Sequence, residues 1–132
     1  CYETLGTKGN KVSLKICALF MPQESWTKYP KLYKPEEALN HEKRHFDICE
    51  IYARKFRRLV SQTDFTQRNF TVTLNYLFKK TMAEYRAAQA EYDNQTHHSL
   101  DDHQQVKWNE RIDDELESLV DYSDTVITVS LN

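Results

Sequence analysis

The sequence predicts an α+β domain in which three main helices pack beside a small β-sheet. Three observations favour this class. The chain has 132 residues, enough for one hydrophobic core but few for two. Only two glycines and three prolines occur, which leaves room for long helices. Apolar residues that alternate with polar ones, as in half-buried strands, are confined to the two ends of the chain. We therefore expect residues 1–132 to form a single domain.

The predicted strands lie near the two ends of the chain. Apolar side chains alternate with polar ones within residues 11–20, at Val12, Leu14 and Ile16. A closing strand is predicted over residues 125–131, where β-branched residues alternate with polar ones. The sequence therefore predicts that strands from both ends contribute to the sheet.

Three helices are predicted between these strands. The first begins at Pro35, which suits a first helical turn, and runs without a breaker to about Val60. The second is predicted over residues 66–92. The third begins after Ser99, with Asp102 three residues later in a pattern similar to a capping box.

Composition and charge exclude some classes of partner. The formal net charge is −2, so the chain has no broad positive surface with which to bind nucleic acid. No stretch is long and apolar enough to span a bilayer, and we expect no transmembrane segment in this chain. The hydrophobic share of 39% and the charged share of 29% are ordinary for a soluble globular domain.

The segment that carries chemistry is His41-Glu42-Lys43-Arg44-His45. Two histidines four residues apart on a helix project from one face, where both imidazoles can bind one zinc ion at about 2.0–2.1 Å. A glutamate directly after the first histidine lies beside the metal, takes a proton from a metal-bound water and passes it to the leaving group. The pattern predicts His41 and His45 as ligands of Zn²⁺ and Glu42 as the catalytic base. The alternative is a solvated helix surface without a metal.

A catalytic zinc site needs a third protein ligand. Only His97, His98 and His103 remain as histidines. A second helix of about 27 residues is roughly 40 Å long, so an antiparallel return would carry residues 93–100 back past the motif. His97 or His98 can then supply the third ligand, and the alternative is that both are polar residues of a surface connection.

Other polar residues near the motif have weaker roles. Glu50 lies five residues after His45, a rotation of about 500°, and is rejected as a ligand because it faces away from that histidine. Asp47 either orients a ligand or is a surface carboxylate. Tyr52 and Tyr92 are expected in the core, with a hydrogen bond to an oxyanion as the alternative.

Two segments resemble a known family. The stretch His41–Ile48, with the letters HEKRHFDI, resembles the bacterial family called domain of unknown function 922, which is described as predicted secreted zinc-dependent proteases. The stretch Tyr92–Ser99 is similar to a second signature of that family, and the pair Ser25–Trp26 to a pair that precedes its zinc helix. The resemblance spans roughly residues 12–112.

The resemblance implies a ligand set, a fold and a location. It places His98, rather than His97, at the family's histidine position, so the implied zinc ligands are His41, His45 and His98. It places Ser99 where the family usually has glycine, which puts the local turn geometry in question. The implied fold is a minimal zincin-like domain, and the implied location is secreted, periplasmic or in the cell envelope.

The expected function is that of a zinc-dependent hydrolase and, more specifically, a metallopeptidase with a peptide or protein substrate. The strand within residues 12–20 is expected to pair its edge with an extended substrate. Two alternatives remain open. One is a hydrolase that acts on a non-peptide amide of the cell envelope. The other is a non-catalytic binding module that retains a structural or vestigial metal site.

Overall fold

The computed structural model describes residues 1–18 and 35–132. It confirms the α+β class, with three helices and a small sheet. Among the described helices, none is long and apolar enough to cross a membrane. The predicted loop with the Ser25–Trp26 pair lies outside the described residues. In chain order the elements are β1 (Tyr2–Lys8), β2 (Lys11–Ile16), α1 (Pro35–Ser61), α2 (Phe70–Thr96), α3 (Asp102–Ser118), a 3-10 turn (Val120–Tyr122) and β3 (Val126–Ser130).

The sheet has three antiparallel strands in the order β1-β2-β3. β1 and β2 form a hairpin whose turn contains Gly9 at a φ of 62°, in the left-handed region that favours glycine. β3 comes from the other end of the chain and pairs with β2 from Lys11↔Ser130 to Lys15↔Val126. β1 was not predicted, because an edge strand that is exposed beyond Tyr2 carries no alternating apolar pattern.

Two predictions for residues 11–20 are wrong. β2 ends at Ile16 instead of extending to residue 20, and residues 17 and 18 belong to no strand. β2 is also the central strand of the sheet, so both of its edges already pair with β1 and β3. Its backbone groups are used within the sheet, and it cannot bind an extended substrate by edge pairing.

The second helix is displaced along the chain from its predicted position. α2 begins at Phe70, four residues later than predicted, because Thr66 and Asn69 hold the preceding turn. The backbone N–H of Thr66 donates to Asn69 Oδ1 (2.8 Å), and the N–H of Asn69 donates to Thr66 Oγ1 (3.1 Å). α2 continues to Thr96 and ends where His97 takes a left-handed conformation (φ 49°).

The amino-terminal cap of α3 also differs from the prediction. Asp101, not Ser99, is the capping residue, and its carboxylate accepts a hydrogen bond from the backbone N–H of Gln104 (3.0 Å). Asp102 is already inside the helix. Ser99 cannot cap because it lies in the turn between the helices, at a φ of 79°.

The core consists of two apolar clusters along α1. The first lies beneath the sheet and involves the carboxyl-terminal half of α1; the second lies between the middle of α1 and the helices α2 and α3. Because the second cluster fixes α2 and α3 on α1, it also positions the histidine motif. The first contains Val12, Leu14, Ile16, Phe56, Val60, Phe65, Leu74, Leu77 and Val129, and the second contains Ile48, Ile51, Tyr92, Trp108, Ile112 and Leu119.

A fully buried arginine joins α1 to the surrounding chain. The side chain of Arg57 is 0% exposed, and its guanidinium donates to the carbonyl oxygens of Ile16 (2.6 and 3.0 Å) and Tyr122 (2.8 Å). It also pairs with Glu50 (3.1 Å), which accepts a second hydrogen bond from Arg54 (2.8 Å). Glu50 is therefore part of a structural ion pair, in agreement with its rejection as a metal ligand.

We expect Arg57→Met to lower the free energy of unfolding by about 2–4 kcal/mol, because two carbonyl groups lose their donor and Glu50 keeps, among the described residues, only Arg54 as its cationic partner. Urea denaturation measures the effect. The control is Arg86→Met, an exposed residue of α2, for which we expect a change within about 0.5 kcal/mol. Equal effects of the two changes would contradict the structural role of Arg57.

Candidate metal centre

The three motif residues lie in the first half of α1. Because residues four apart share a helix face, His41 and His45 both point between α2 and α3, where they are 3% and 4% exposed. Their rings lie 4.8 Å apart and nearly perpendicular. The ligand atoms offered by His41, Glu42 and His45 all lie within 4.8 Å of one another. The arrangement can hold a metal ion.

One nitrogen of each imidazole faces a glutamine. The Nδ1 of His41 contacts Gln105 Oε1 (2.9 Å), and the Nδ1 of His45 contacts Gln89 Oε1 at short distance. Each glutamine amide nitrogen donates elsewhere: that of Gln89 to the backbone carbonyl of His45 (3.0 Å), and that of Gln105 to the hydroxyl of Tyr92 (2.8 Å). The carbonyl oxygens therefore accept hydrogen bonds from the rings, and each Nδ1 carries a hydrogen.

The other nitrogen of each imidazole faces one carboxylate oxygen. Asp93 Oδ1 lies 2.8 Å from the Nε2 of His41 and 2.7 Å from the Nε2 of His45. With a hydrogen on Nδ1, a neutral imidazole presents a lone pair at Nε2, and a carboxylate oxygen offers only lone pairs. A positive charge must therefore lie between them, as a proton on each ring or as a metal ion. This donor set fits a bound cation.

The contact between Asp93 and the two histidines shifts the pKa values of His45 and Asp93. Burial opposes a charge on His45, but its hydrogen bond and charge interaction with Asp93, together with the hydrogen bond to Gln89, outweigh burial and raise the pKa of His45. Burial alone would raise the pKa of Asp93, but the hydrogen bonds from His41 and His45 lower it strongly. The carboxylate of Asp93 is therefore ionised beside the two rings.

Tyr92 packs against His41 and is hydrogen-bonded to its backbone. Its ring stacks on that of His41 (4.5 Å between centroids, 13° between planes), and its hydroxyl donates to the backbone carbonyl of His41 (3.0 Å). Burial raises the pKa of Tyr92. The expectation of a core residue is confirmed, and because the hydroxyl is already bonded to His41 and Gln105, Tyr92 is unsuited to the alternative role of an oxyanion donor.

The antiparallel return of α2 carries the predicted segment back to the motif. His98 lies next to the site, with its Nδ1 3.8 Å from Asp93 Oδ1 and its side chain 36% exposed. His97 is 70% exposed and its Nδ1 lies 3.7 Å from Asp101. His103 is exposed on α3. His98 is thus within reach of the site, and its assignment as a ligand stays a prediction.

Residues 22–99 match the model of a family described as bacterial protein of unknown function (DUF922). The match covers more than half of the 132 residues and includes the motif and the end of α2. The chain belongs to the DUF922 family. Comparisons with curated proteins and with solved structures found no match. The family description contains no activity, so what this DUF922 protein does must be argued from its site.

Sequence reasoning missed the acidic residue at the centre of this DUF922 site. Asp93 lies within residues 93–100, the segment predicted to pass the motif, but within that segment only the histidines were considered as third ligands. Gln89 and Gln105 were missed as well, because nothing in their local sequence marks them as partners of histidine. A search of the returning segment for carboxylates would have found Asp93, since carboxylate oxygens are common zinc ligands.

Next to the motif, Arg44 binds Asp47 within α1 and joins α1 to α3. Asp47, considered as a group that orients a ligand, accepts a hydrogen bond from Arg44 (3.2 Å). Arg44 also donates to Asp113 of α3 (2.6 and 3.3 Å). These contacts support the interpretation of Asp47 as a structural carboxylate on the helix surface.

The turn after α2 contains three consecutive residues with positive φ: His97 (49°), His98 (54°) and Ser99 (79°). A side chain in the left-handed region costs about 1–2 kcal/mol relative to the right-handed region, a cost that glycine avoids. Glycine at the position of Ser99 would avoid this strain. Serine at this position keeps the turn and makes it less stable.

We expect Ser99→Gly to raise the free energy of unfolding by about 0.5–1 kcal/mol, because relief of the left-handed strain exceeds the entropy that glycine adds to the unfolded chain. Thermal denaturation measures the shift. The matched control is Ser123→Gly at a φ of −77°, which we expect to destabilise the protein. Destabilisation by both changes would contradict the strain at Ser99.

Proposed function

We propose that this DUF922 protein is a zinc-dependent hydrolase that cleaves peptide bonds. The observation that carries the proposal is the orientation of two buried imidazoles. Each donates its Nδ1 hydrogen to a glutamine, which leaves both Nε2 atoms directed at one carboxylate oxygen, and Glu42 lies beside them. Imidazole ligands with fixed Nδ1–H donors and a neighbouring glutamate are the arrangement of a hydrolytic zinc site.

His41 and His45 would hold the ion through Nε2, and the third protein ligand would come from the returning segment between Asp93 and His98. Imidazole and carboxylate donors suit zinc. When bound, the ion supplies a Lewis acid that polarises a substrate carbonyl and makes water more acidic. The two glutamines preserve the tautomer that this binding requires, because they accept the Nδ1 hydrogens.

Glu42 would transfer the proton. Its carboxylate is half-buried and lies within 4.8 Å of the ligand atoms of both histidines. From this position it takes a proton from the attacking water and delivers it to the nitrogen of the leaving group, so one residue serves both steps. Its place directly after His41 on a rigid helix holds the carboxylate close to the reacting atoms.

A peptide as substrate and an exported location rest on the resemblance of the motif to a family whose members are predicted, from the zinc motif, to be secreted proteases. A hydrolase acting on another amide would use the same residues, so substrates have to be compared directly. A non-catalytic module would also hold the ion, but it has no need of Glu42 as a base. Substitution of Glu42 therefore separates catalysis from metal binding.

We expect Glu42→Gln to retain about one zinc ion per chain and to lower the rate of hydrolysis by about 10²–10⁴-fold, because the amide cannot accept the proton. Elemental analysis measures the zinc, and mass spectrometry of a mixed pool of synthetic peptides measures the cleavage. The control is Glu84→Gln, an exposed residue of α2, for which we expect unchanged cleavage.

Two results would contradict this proposal in different ways. Unchanged turnover in Glu42→Gln would show that Glu42 is not the base. Absence of zinc from the purified protein, even after reconstitution, would reject the metal site itself. If non-peptide amides are hydrolysed and peptides are not, the hydrolase stands and the peptidase assignment is wrong.

A further inference from the structure

We propose that Asp93 is the third protein ligand of the metal, through Oδ1, and that His98 contacts the Asp93 carboxylate instead of the ion. The inference rests on the proposed metal site and specifies its donor set as two imidazoles and one carboxylate. The carboxylate oxygen already lies at the atoms that would bind zinc, and the Nδ1 of His98 lies 3.8 Å from that oxygen.

The distances favour Asp93 over His98. Its Oδ1 lies 2.8 and 2.7 Å from the two Nε2 atoms, whereas the Nδ1 of His98 lies 3.8 Å from that same oxygen, beyond hydrogen-bond distance. A cation that binds both Nε2 atoms must share their space with this oxygen. Carboxylate oxygens bind zinc at about 2.0–2.2 Å, so Asp93 can become a ligand with a small change in side-chain position.

The backbone of Asp93 is held firmly against α1. Its predecessor Tyr92 is 0% exposed and is bonded through its hydroxyl to the carbonyl of His41. Thr96 donates from Oγ1 to the carbonyl of Tyr92 (2.7 Å) and is itself 0% exposed. Asp93 therefore cannot withdraw from the imidazoles without disrupting the end of α2. Ligands on rigid elements are placed most accurately.

His98 lies in a less suitable position. It follows the end of α2, in the turn with three left-handed residues, and its side chain is 36% exposed against 26% for Asp93. The Oδ1 of Asp93 lies 2.7–2.8 Å from the two motif histidines and 3.8 Å from the Nδ1 of His98. From there the imidazole of His98 can orient the carboxylate and limit its movement, as partners of metal ligands do.

The proposed donor set also satisfies the chemistry of a hydrolase. Three protein ligands leave the fourth position of a tetrahedral zinc ion open for water or substrate, whereas a fourth ligand from His98 would close it and favour a structural role. One carboxylate also neutralises part of the charge of a buried dication, which three neutral imidazoles do not. A zinc ion held by His41, His45 and Asp93 would thus have an open fourth position and a partly neutralised charge.

The test compares Asp93→Asn with His98→Asn in the full chain. Zinc affinity is measured by competition with a chromophoric chelator, and zinc content by elemental analysis. We expect Asp93→Asn to lose more than about 100-fold in affinity and His98→Asn to lose about 10–100-fold, because the first removes a ligand and the second removes only a partner that orients it. Asp47→Asn, a carboxylate on the same motif segment that pairs with Arg44, is the control and should bind like the wild type.

Each other result overturns the inference. Loss of zinc in His98→Asn with retention in Asp93→Asn would make His98 the third ligand. Equal loss in both would indicate four protein ligands. A wild-type protein that binds no zinc would reject the proposed function as well, which distinguishes that failure from a wrong choice of ligand.

A second measurement covers the case in which Asp93→Asn does not fold. X-ray absorption spectroscopy of the zinc-loaded wild type counts imidazole ligands directly, because imidazole rings scatter in a characteristic way. We expect two imidazoles with oxygen donors. Three imidazoles would overturn the assignment of Asp93 without any substitution.

Discussion

The arrangement of the helices depends on the burial of two imidazoles beside one carboxylate. A polar group in the protein interior without a hydrogen-bond partner costs about 1–3 kcal/mol, so each ring nitrogen of His41 and His45 needs a partner. Those partners are Gln105 of α3 and Gln89 and Asp93 of α2. A shift of α2 or α3 on α1 that broke one of these contacts would leave a buried ring nitrogen without its partner.

This polar network acts differently from the apolar core around it. Leucine and isoleucine side chains tolerate small sliding movements between helices, whereas a hydrogen bond is lost when its atoms move apart by about an ångström. Tyr92 couples the two kinds of contact, because its ring packs on His41 and Trp108 while its hydroxyl joins the network. The same contacts that determine the packing therefore also determine which ring nitrogens remain available to a cation.

At the other end of α1, the buried side chain of Arg57 also holds neighbouring elements in place. Arg57 joins the helix to the end of β2 and to the turn before β3, and Glu50 balances its charge. The sheet packs on the carboxyl-terminal half of α1, while the motif occupies the amino-terminal half. A single helix of 27 residues thus connects the region that packs on the sheet to the histidine motif, and this division suits a site that requires rigid support.

The sequence by itself determined the α+β class, the long first helix and the shared face of His41 and His45, because these follow from local composition and from helix periodicity. It also determined that the end of α2 returns to the motif, since helix length and direction suffice for that. Tertiary structure alone decided that β2 is central, that Asp101 caps α3, and that one oxygen of Asp93 faces both imidazoles. The contacts that decide the site join residues 44 to 64 positions apart. Their partners depend on how three helices pack, and local sequence patterns carry no record of that packing.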